Sequence, residues 1–436
     1  MKKTLSLVLT AALSLSLLSA CTPAADPQPS SGGAEPSAPT VSTPATPSGE
    51  KVELTFMTNV VGEKAAALES ALKGFEAETG YTVEFSAPGD SYEELMKTKM
   101  SSNELPDVFT THGWSVARYS EYLMPVNDME FAGRISDQIK PVITDSEGNM
   151  FVLPIDIDIA GIVYNVDVLA DNNIDPDSLK TWDDFAAACA VIKAAGVSPM
   201  HIGGKDTWTI GQFFDWVAPS FYVTDESTSK AADLKAGKFD VPTWTEIAQM
   251  MADWTAAGYF NPDVLTADYN SDMEALATGK TAFCFYGPSA IMDAKGVNAD
   301  ASLGMMPIPA ASAGDAPSLI AGEDIAVGIW KDTKNAAAAQ ELLNYLARPE
   351  VAGAIAKAAG NSSGLTDVDV ELGDIKTYFD KYKSVETFPY FDREYLPSGM
   401  WDVMCATGAE ILAQKSGAVE DAGKIMEQSF LDKYAG

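Results

Sequence analysis

Histidine is almost missing from this chain of 436 residues: His112 and His201 are the two it has. That excludes a multi-histidine metal site and disfavours zinc. Neither histidine stands beside a serine or cysteine as a nucleophile–base pair would. Cysteine is scarce as well. Cys189, Cys284 and Cys405 lie far apart in apolar surroundings, and with Cys21 set aside they are odd in number, so a full disulfide framework is excluded and buried free thiols are expected. Basic residues are few, 29 against 62 acids, for a net charge of −33. Such a balance argues against binding nucleic acid or anionic lipid by bulk charge. HExxH, CxxC, GxSxG and GxxxxGK[ST] do not occur, and HIGGK at 201–205 lacks the spacing of a phosphate loop. DVDVELGD at 367–374 lacks the glycine and closing acid of a calcium loop. Neither a metal nor a cofactor is therefore expected. After residue 20 no apolar run is long enough to cross a bilayer.

What is present starts at the first residues. Lys2 and Lys3 precede an apolar run from Thr4 to Ala20 that ends in Leu18-Ser19-Ala20-Cys21. Basic start, apolar run, small residues and cysteine come in the order of a lipoprotein signal, predicting a signal peptide over 1–20 and lipidation (palmitate) at Cys21. Residues 22–50 hold seven prolines among Ala, Ser, Thr and Gly, a composition that cannot bury a core and reads as a disordered linker. Extended at about 3.1 Å per residue it would reach roughly 90 Å. The expected location is the outer face of a bacterial cytoplasmic membrane, held by lipid.

The body begins at Lys51. VELTFMT reads as a strand, Glu63–Thr79 as a helix stopped by Gly80, TVEFSA as a strand, Tyr92–Met100 as a helix and PDVF as a strand, an order that implies parallel pairing in an α/β lobe. In LPIDIDIAGIVYN (153–165), Ile155, Ile157 and Ile159 alternate with Asp156 and Asp158. Thr181 caps a helix opened by TWDDF, with Asp184 completing a capping-box variant. Further helices are expected over Thr243–Ala257, Ala336–Ala347, Met400–Ala413 and Val419–Tyr434, and strands at TAFCFYG and DIAVGIW. Aromatic residues gather with polar ones in TWTIGQFFDW (207–216), YGPS (286–289), GED (322–324) and FDREYLPSGMW (391–401). An aromatic face packs on the apolar face of a sugar ring while nearby polar groups bind its hydroxyls. Asp156 and Asp158, about 7 Å apart by strand rise, would also suit the roughly 5–9.5 Å spacing of glycosidase carboxyls, so a surface glycoside hydrolase stays open on spacing alone.

The pieces LTFMTN, FEAETGYTVEF, LPDVF, YLMPVND, LPIDIDIAGIVYNVDVL, TWDDF, WTAAGYFNPD, TAFCFYGPSAI, TKNAAAAQELLNYLARPEV and SGMWDVMCATGAEILAQKSGAVEDA run in order from 51 to 434. In that order they resemble the extracellular solute-binding proteins of ABC sugar importers, the family that includes maltose-binding protein. The resemblance implies a two-lobed periplasmic-binding-protein-like α/β fold (type II), with hinge strands between the lobes and a ligand cleft. Lobe 1 would be 51–157 plus 313–357, and lobe 2 would be 158–312 plus 358–436. Ligand contacts would come from Thr58, Asn59, Thr111, His112, Trp114, Asp158, Trp208, Gln212, Phe214, Gly287, Ser289 and Trp401, with Glu323 and Asp324 added. Ser289, Cys405 and Thr111 depart from the tryptophan, arginine and tryptophan that maltose-binding protein has at the matching places, so a maltodextrin is not implied. The function implied is capture of a carbohydrate and its delivery to the membrane permease of an ABC importer, by a monomeric receptor and not by an enzyme. A polyamine, a peptide or another small solute is the alternative ligand.

Overall fold

The computed structural model of the chain describes residues 52–434 except residue 138. The signal peptide, Cys21 and the linker lie outside the described residues. Strands are numbered along the chain: β1 Glu53–Met57, β2 Thr82–Ser86, β3 Val108–Thr110, β4 Val152–Pro154, β5 Asp156–Ala160, β6 Ile162–Asn165 and β7 Ser198–Met200. They continue with β8 Thr281–Cys284, β9 Leu303–Met306, β10 Leu319–Glu323, β11 Ala326–Ile329, β12 Ser362–Ser363 and β13 Thr387–Pro389.

Three sheets result, ordered β2-β1-β3-β11-β4, β12-β5-β10-β13 and β7-β8-β6-β9. In the first, β1 pairs parallel with both β2 and β3, as the strand–helix alternation predicts, while β11 enters antiparallel. The helix Gly62–Thr79 makes the first crossover and turns Leu68, Leu72 and Phe75 inward. That is the i, i+4, i+7 stripe of a surface helix; Ala66, grouped with the apolar face on sequence grounds, lies exposed. Gly80 ends the helix at φ 76°, where a left-handed residue lets its N–H reach Glu76 O at 2.9 Å. Thr181 and Asp184 form the full reciprocal capping box at the start of the helix Trp182–Ala194.

Two lobes grow on the outer sheets. The first-lobe core joins Leu54, Phe56, Phe75, Phe109, Val152, Val327 and Leu342. The second-lobe core is aromatic, with Trp182, Phe185, Phe213, Phe214, Trp244 and Phe285. The middle sheet connects them. The run β4-β5-β6 passes from the first sheet through the middle to the third with breaks at Ile155 and Gly161, and β10-β11 leads from the middle sheet back into the first. A third passage leaves the helix Pro349–Ala359 through β12. Cys189, Cys284 and Cys405 are buried and unpaired. No helix among the described residues is long and apolar enough to cross a membrane.

Candidate ligand-binding site

The alternation in β5 sends its two acids to one face of the middle sheet, and the structure gives them different surroundings. Asp156 is fully buried. Its Oδ1 accepts from Ile325 N at 2.6 Å and its Oδ2 from Asn361 Nδ2 at 2.9 Å, so one carboxylate ties all three passages between the lobes. Burial, reinforced by the charge of Asp324, pushes it up to about 7. Asp158 is half-open. Its Oδ2 accepts from Tyr390 Oη at 2.5 Å, and Oδ1 has no partner among the described residues. A Cβ on Gly287 would stand 2.6–2.7 Å from both oxygens, so the second-lobe turn lays its bare backbone on this carboxylate. Burial and then the charge of Asp324 raise Asp158 above the ordinary carboxylate range, against the opposing effects of Tyr390, Lys64 and Arg393. A hydrolytic pair needs both carboxyls open to substrate; Asp156 is closed to it.

The first-lobe wall starts after β1. Thr58 is fully buried, and the Thr110 hydroxyl lies 3.1 Å from Thr58 Oγ1 and 2.8 Å from Asn59 Oδ1, tying the two loops together. Thr111 does not reach the wall: it is fully buried, and its N–H is bonded to Ala326 O at 2.9 Å. The chain then turns through two left-handed residues, His112 at φ 47° and Gly113 at φ 85°, and closes with Trp114 N to Thr111 O at 3.1 Å. A histidine held at positive φ is a strained backbone that the surroundings must enforce. His112 Nδ1 is unpartnered among the described residues and stands 3.6 Å from Asp324 Oδ1. Trp114 is half-buried, with the Arg118 guanidinium 4.2 Å from its ring centroid. Glu323 is interior and supports the turn from beneath, Oε1 accepting from Ser115 N at 3.2 Å. Asp324 takes Lys64 Nζ at 2.6 Å. Burial works against Asp324's charge, but Lys64 and His112 hold its carboxyl well below the usual range.

The second-lobe wall is the start of the helix Trp208–Tyr222, which the sequence reading treats only as an aromatic stretch at an element end. Trp208 is 36% exposed and contacts Tyr269 and Tyr286 at centroid distances of 5.2 and 5.7 Å. Gln212 lies one turn on and is half-buried. Thr209 is buried with its Oγ1 unpartnered among the described residues. Trp401 packs across Gly211, whose added Cβ would meet its ring at 3.0 Å. Phe214 does not share this wall. It is fully buried and stacks on Trp244 at 5.4 Å and 24°, because a position six residues after Trp208 falls on the opposite side of the helix. Ser289 opens the helix Ser289–Val297 and faces Gly360 at the end of the first-lobe helix Pro349–Ala359.

Sequence reasoning missed Lys64, Thr110, Tyr390 and Arg393. Lys64 pairs across 260 positions, which no local pattern reveals. Tyr390 stands one residue before the quoted stretch FDREYLPSGMW. The acids of DVDVELGD are partly spent on ion pairs, Asp367 with Arg134 at 2.8 Å and Asp374 with Lys295 at 2.7 Å. A cavity of about 300 Å³ lined by Ile159, Leu319, Ser363 and Phe379 lies on the face of the middle sheet away from Asp158 and is separate from these walls.

The model of a family described as bacterial extracellular solute-binding proteins matches residues 59–353. The melibiose/raffinose/stachyose-binding protein of Bacillus subtilis is 32% identical over 329 residues, 75% of this chain and 76% of that one. A sugar transporter of Bacillus licheniformis, solved in complex with stachyose, superposes with a TM-score of 0.81 at 32% identity, covering 87% of this chain and 100% of its own. A binding protein of Bacillus subtilis in an open conformation gives 0.80 at 29%, covering 88% and 98%. Family membership, not the want of any group in the structure, answers the hydrolase alternative. Two lobes, three passages and a half-open acid between them agree with that match, and the chain belongs to the bacterial extracellular solute-binding proteins that serve ABC importers.

Proposed function

We propose that this receptor binds a neutral oligosaccharide carrying an α-linked galactose, of the raffinose type, between its lobes. The observation that carries the proposal is Asp158: a half-open carboxylate on a passage strand, one oxygen held by Tyr390 and the other unpartnered among the described residues. A carboxylate oxygen so placed accepts from a sugar hydroxyl, and a buried polar group left unpaired costs about 1–3 kcal/mol, which gives the site its selectivity. Trp208 and Trp401 supply faces for the sugar ring. The galactosyl assignment is supported by the names of the two proteins at 32% identity, since melibiose, raffinose and stachyose share that unit.

The remaining parts of the reading belong here too. Residues 1–20 are a signal peptide and Cys21 carries lipid, which tethers a monomer outside the cell for the permease. The lobes are 51–157 plus 313–357 and 158–312 plus 358–436, with passages at β5, β10 and β12. Thr58, Asn59, His112, Trp114, Asp158, Trp208, Gln212, Gly287, Ser289, Asp324 and Trp401 border the cleft. Sugar touches both walls only when the lobes are closed, and so shifts the population toward the form the permease engages.

A thermal-shift series tests the ligand class. Stachyose, raffinose and melibiose should stabilise the protein, by about 2.7 kcal/mol at a hundredfold excess over Kd. Maltotriose and spermidine should not. A shift with spermidine and none with any galactoside would replace the sugar with a polyamine, which the acids at the passages would suit.

A further inference from the structure

Arg393 belongs to the second lobe yet sits in the first. It stands on the short helix Phe391–Tyr395, anchored by the fully buried Phe391 in the second-lobe core. Its guanidinium crosses to the other side. Nη1 donates to Glu323 O on β10 at 2.7 Å, and the group lies 4.2 Å from the Tyr390 ring and 5.4 Å from the ring of Trp114, a first-lobe residue. Two glycines from separate segments leave room for it. A Cβ on Gly113 would fall inside the Arg393 side chain. One on Gly322 would stand 2.6–2.9 Å from Tyr390 and 3.1 Å from Arg393 Nη1. A second tie runs the other way at the same place, Arg118 Nε of the first lobe donating to Ser398 Oγ at 3.1 Å.

We propose that Arg393 is an interlobe latch, seated between Gly113 and Gly322 and against Trp114, that sets how far apart the lobes rest when no sugar is bound. Opening the hinge must withdraw the planar guanidinium from Trp114 and from the Glu323 carbonyl together, and both contacts are lost over a short separation. The latch therefore favours the closed side of the lobe equilibrium, and whatever favours the binding-competent form lowers the apparent Kd. Trp114 is then a latch surface with a cation against it. Arg393 also stands close enough to act electrostatically on Asp158 and Glu323, so the latch is the counter-charge of the acids at the passages.

The inference assumes two lobes and a cleft but not the identity of the sugar, and its primary readout uses no sugar. Small-angle scattering of the full chain should give a larger radius of gyration for Arg393→Met than for the wild type. Saturating stachyose should bring it back, with Kd raised several-fold. Gly322→Ala, which keeps Arg393 and fills its seat, should behave alike, so either variant decides the matter if the other folds poorly. Ligand-free radii of both variants equal to the wild type would overturn the latch. A larger radius without sugar, together with no response to stachyose in the wild type, would keep the latch and reject the proposed ligand.

Discussion

Replacing Asp158 by Asn should separate binding from stability in one substitution. The amide keeps the shape of the carboxyl and still offers an oxygen to Tyr390 Oη, now 2.5 Å from Oδ2. What changes is Oδ1, the acceptor with no partner among the described residues. A hydrogen bond from a sugar hydroxyl to a charged group contributes about 1.5–3 kcal/mol, and about 1.4 kcal/mol is tenfold in Kd. The Kd for stachyose should therefore rise by roughly ten- to a hundredfold, read by isothermal titration calorimetry. Stability should move the other way. Burial and Asp324 raise the pKa of Asp158, so in the folded chain it holds its proton to a higher pH than in the unfolded chain. The folded state then binds more protons, and stability falls as pH climbs from the ordinary carboxylate value through the raised one. At pH 7 the uncharged Asn escapes that loss, and the ligand-free variant should melt at or above the wild-type temperature. Gly287→Ala gives an independent check, since its Cβ would displace the same carboxylate. A Kd within twofold of wild type in both variants would refute the role given to Asp158.

Other consequences can be measured directly. Phe214→Ala should cost about 3–5 kcal/mol in denaturant titrations, as expected for a fully buried ring, while leaving stachyose affinity within about twofold where the protein is folded. Trp208→Ala should weaken stachyose binding by about three- to tenfold, in line with an aromatic contact of roughly 0.5–1.5 kcal/mol, and change the melting temperature little because the ring is exposed at a wall. Asp392, whose N–H bonds Asp215 Oδ1 at 2.7 Å, is pushed up to about 8 by burial first and by Asp215 second. Between the ordinary carboxylate value and about 8 the folded chain keeps a proton that the unfolded chain has released, so this group lowers stability with rising pH by up to about 1.4 kcal/mol per unit. Asp392→Asn should lose less stability than the wild type between pH 5 and 8, measured by urea titration; parallel losses would show that the pair does not titrate there.

How much was legible depended on the range of the interaction. Strand and helix periods announced β1, the helix Gly62–Thr79 and the alternating acids of β5, because each is written within one turn or one pleat. The same alternation could not say that Asp156 is sealed by Ile325 N and Asn361 while Asp158 stays half-open, since those partners come from 169 and 205 positions away. Phe214 shows the opposite failure. An aromatic stretch was read as one wall, but a helix distributes its residues around an axis, so Trp208 and Gln212 face out while Phe214 enters the core.

For His112 and Trp114 the sequence supplied the turn, since only a glycine at 113 tolerates φ 85° with ease, and it supplied the chemistry that a cleft wall needs. The family, the two-lobed α/β class and the identity of the passage acids were all present in residue order and local period. What the tertiary structure alone decided is which polar atoms remain unspent. Asp158 Oδ1 keeps a free acceptor, Trp114 takes two arginines, and Lys64 takes Asp324. Those outcomes follow from three passages of chain meeting in one small volume, and hydrogen-bond satisfaction is settled by distance in space, not by distance along the sequence.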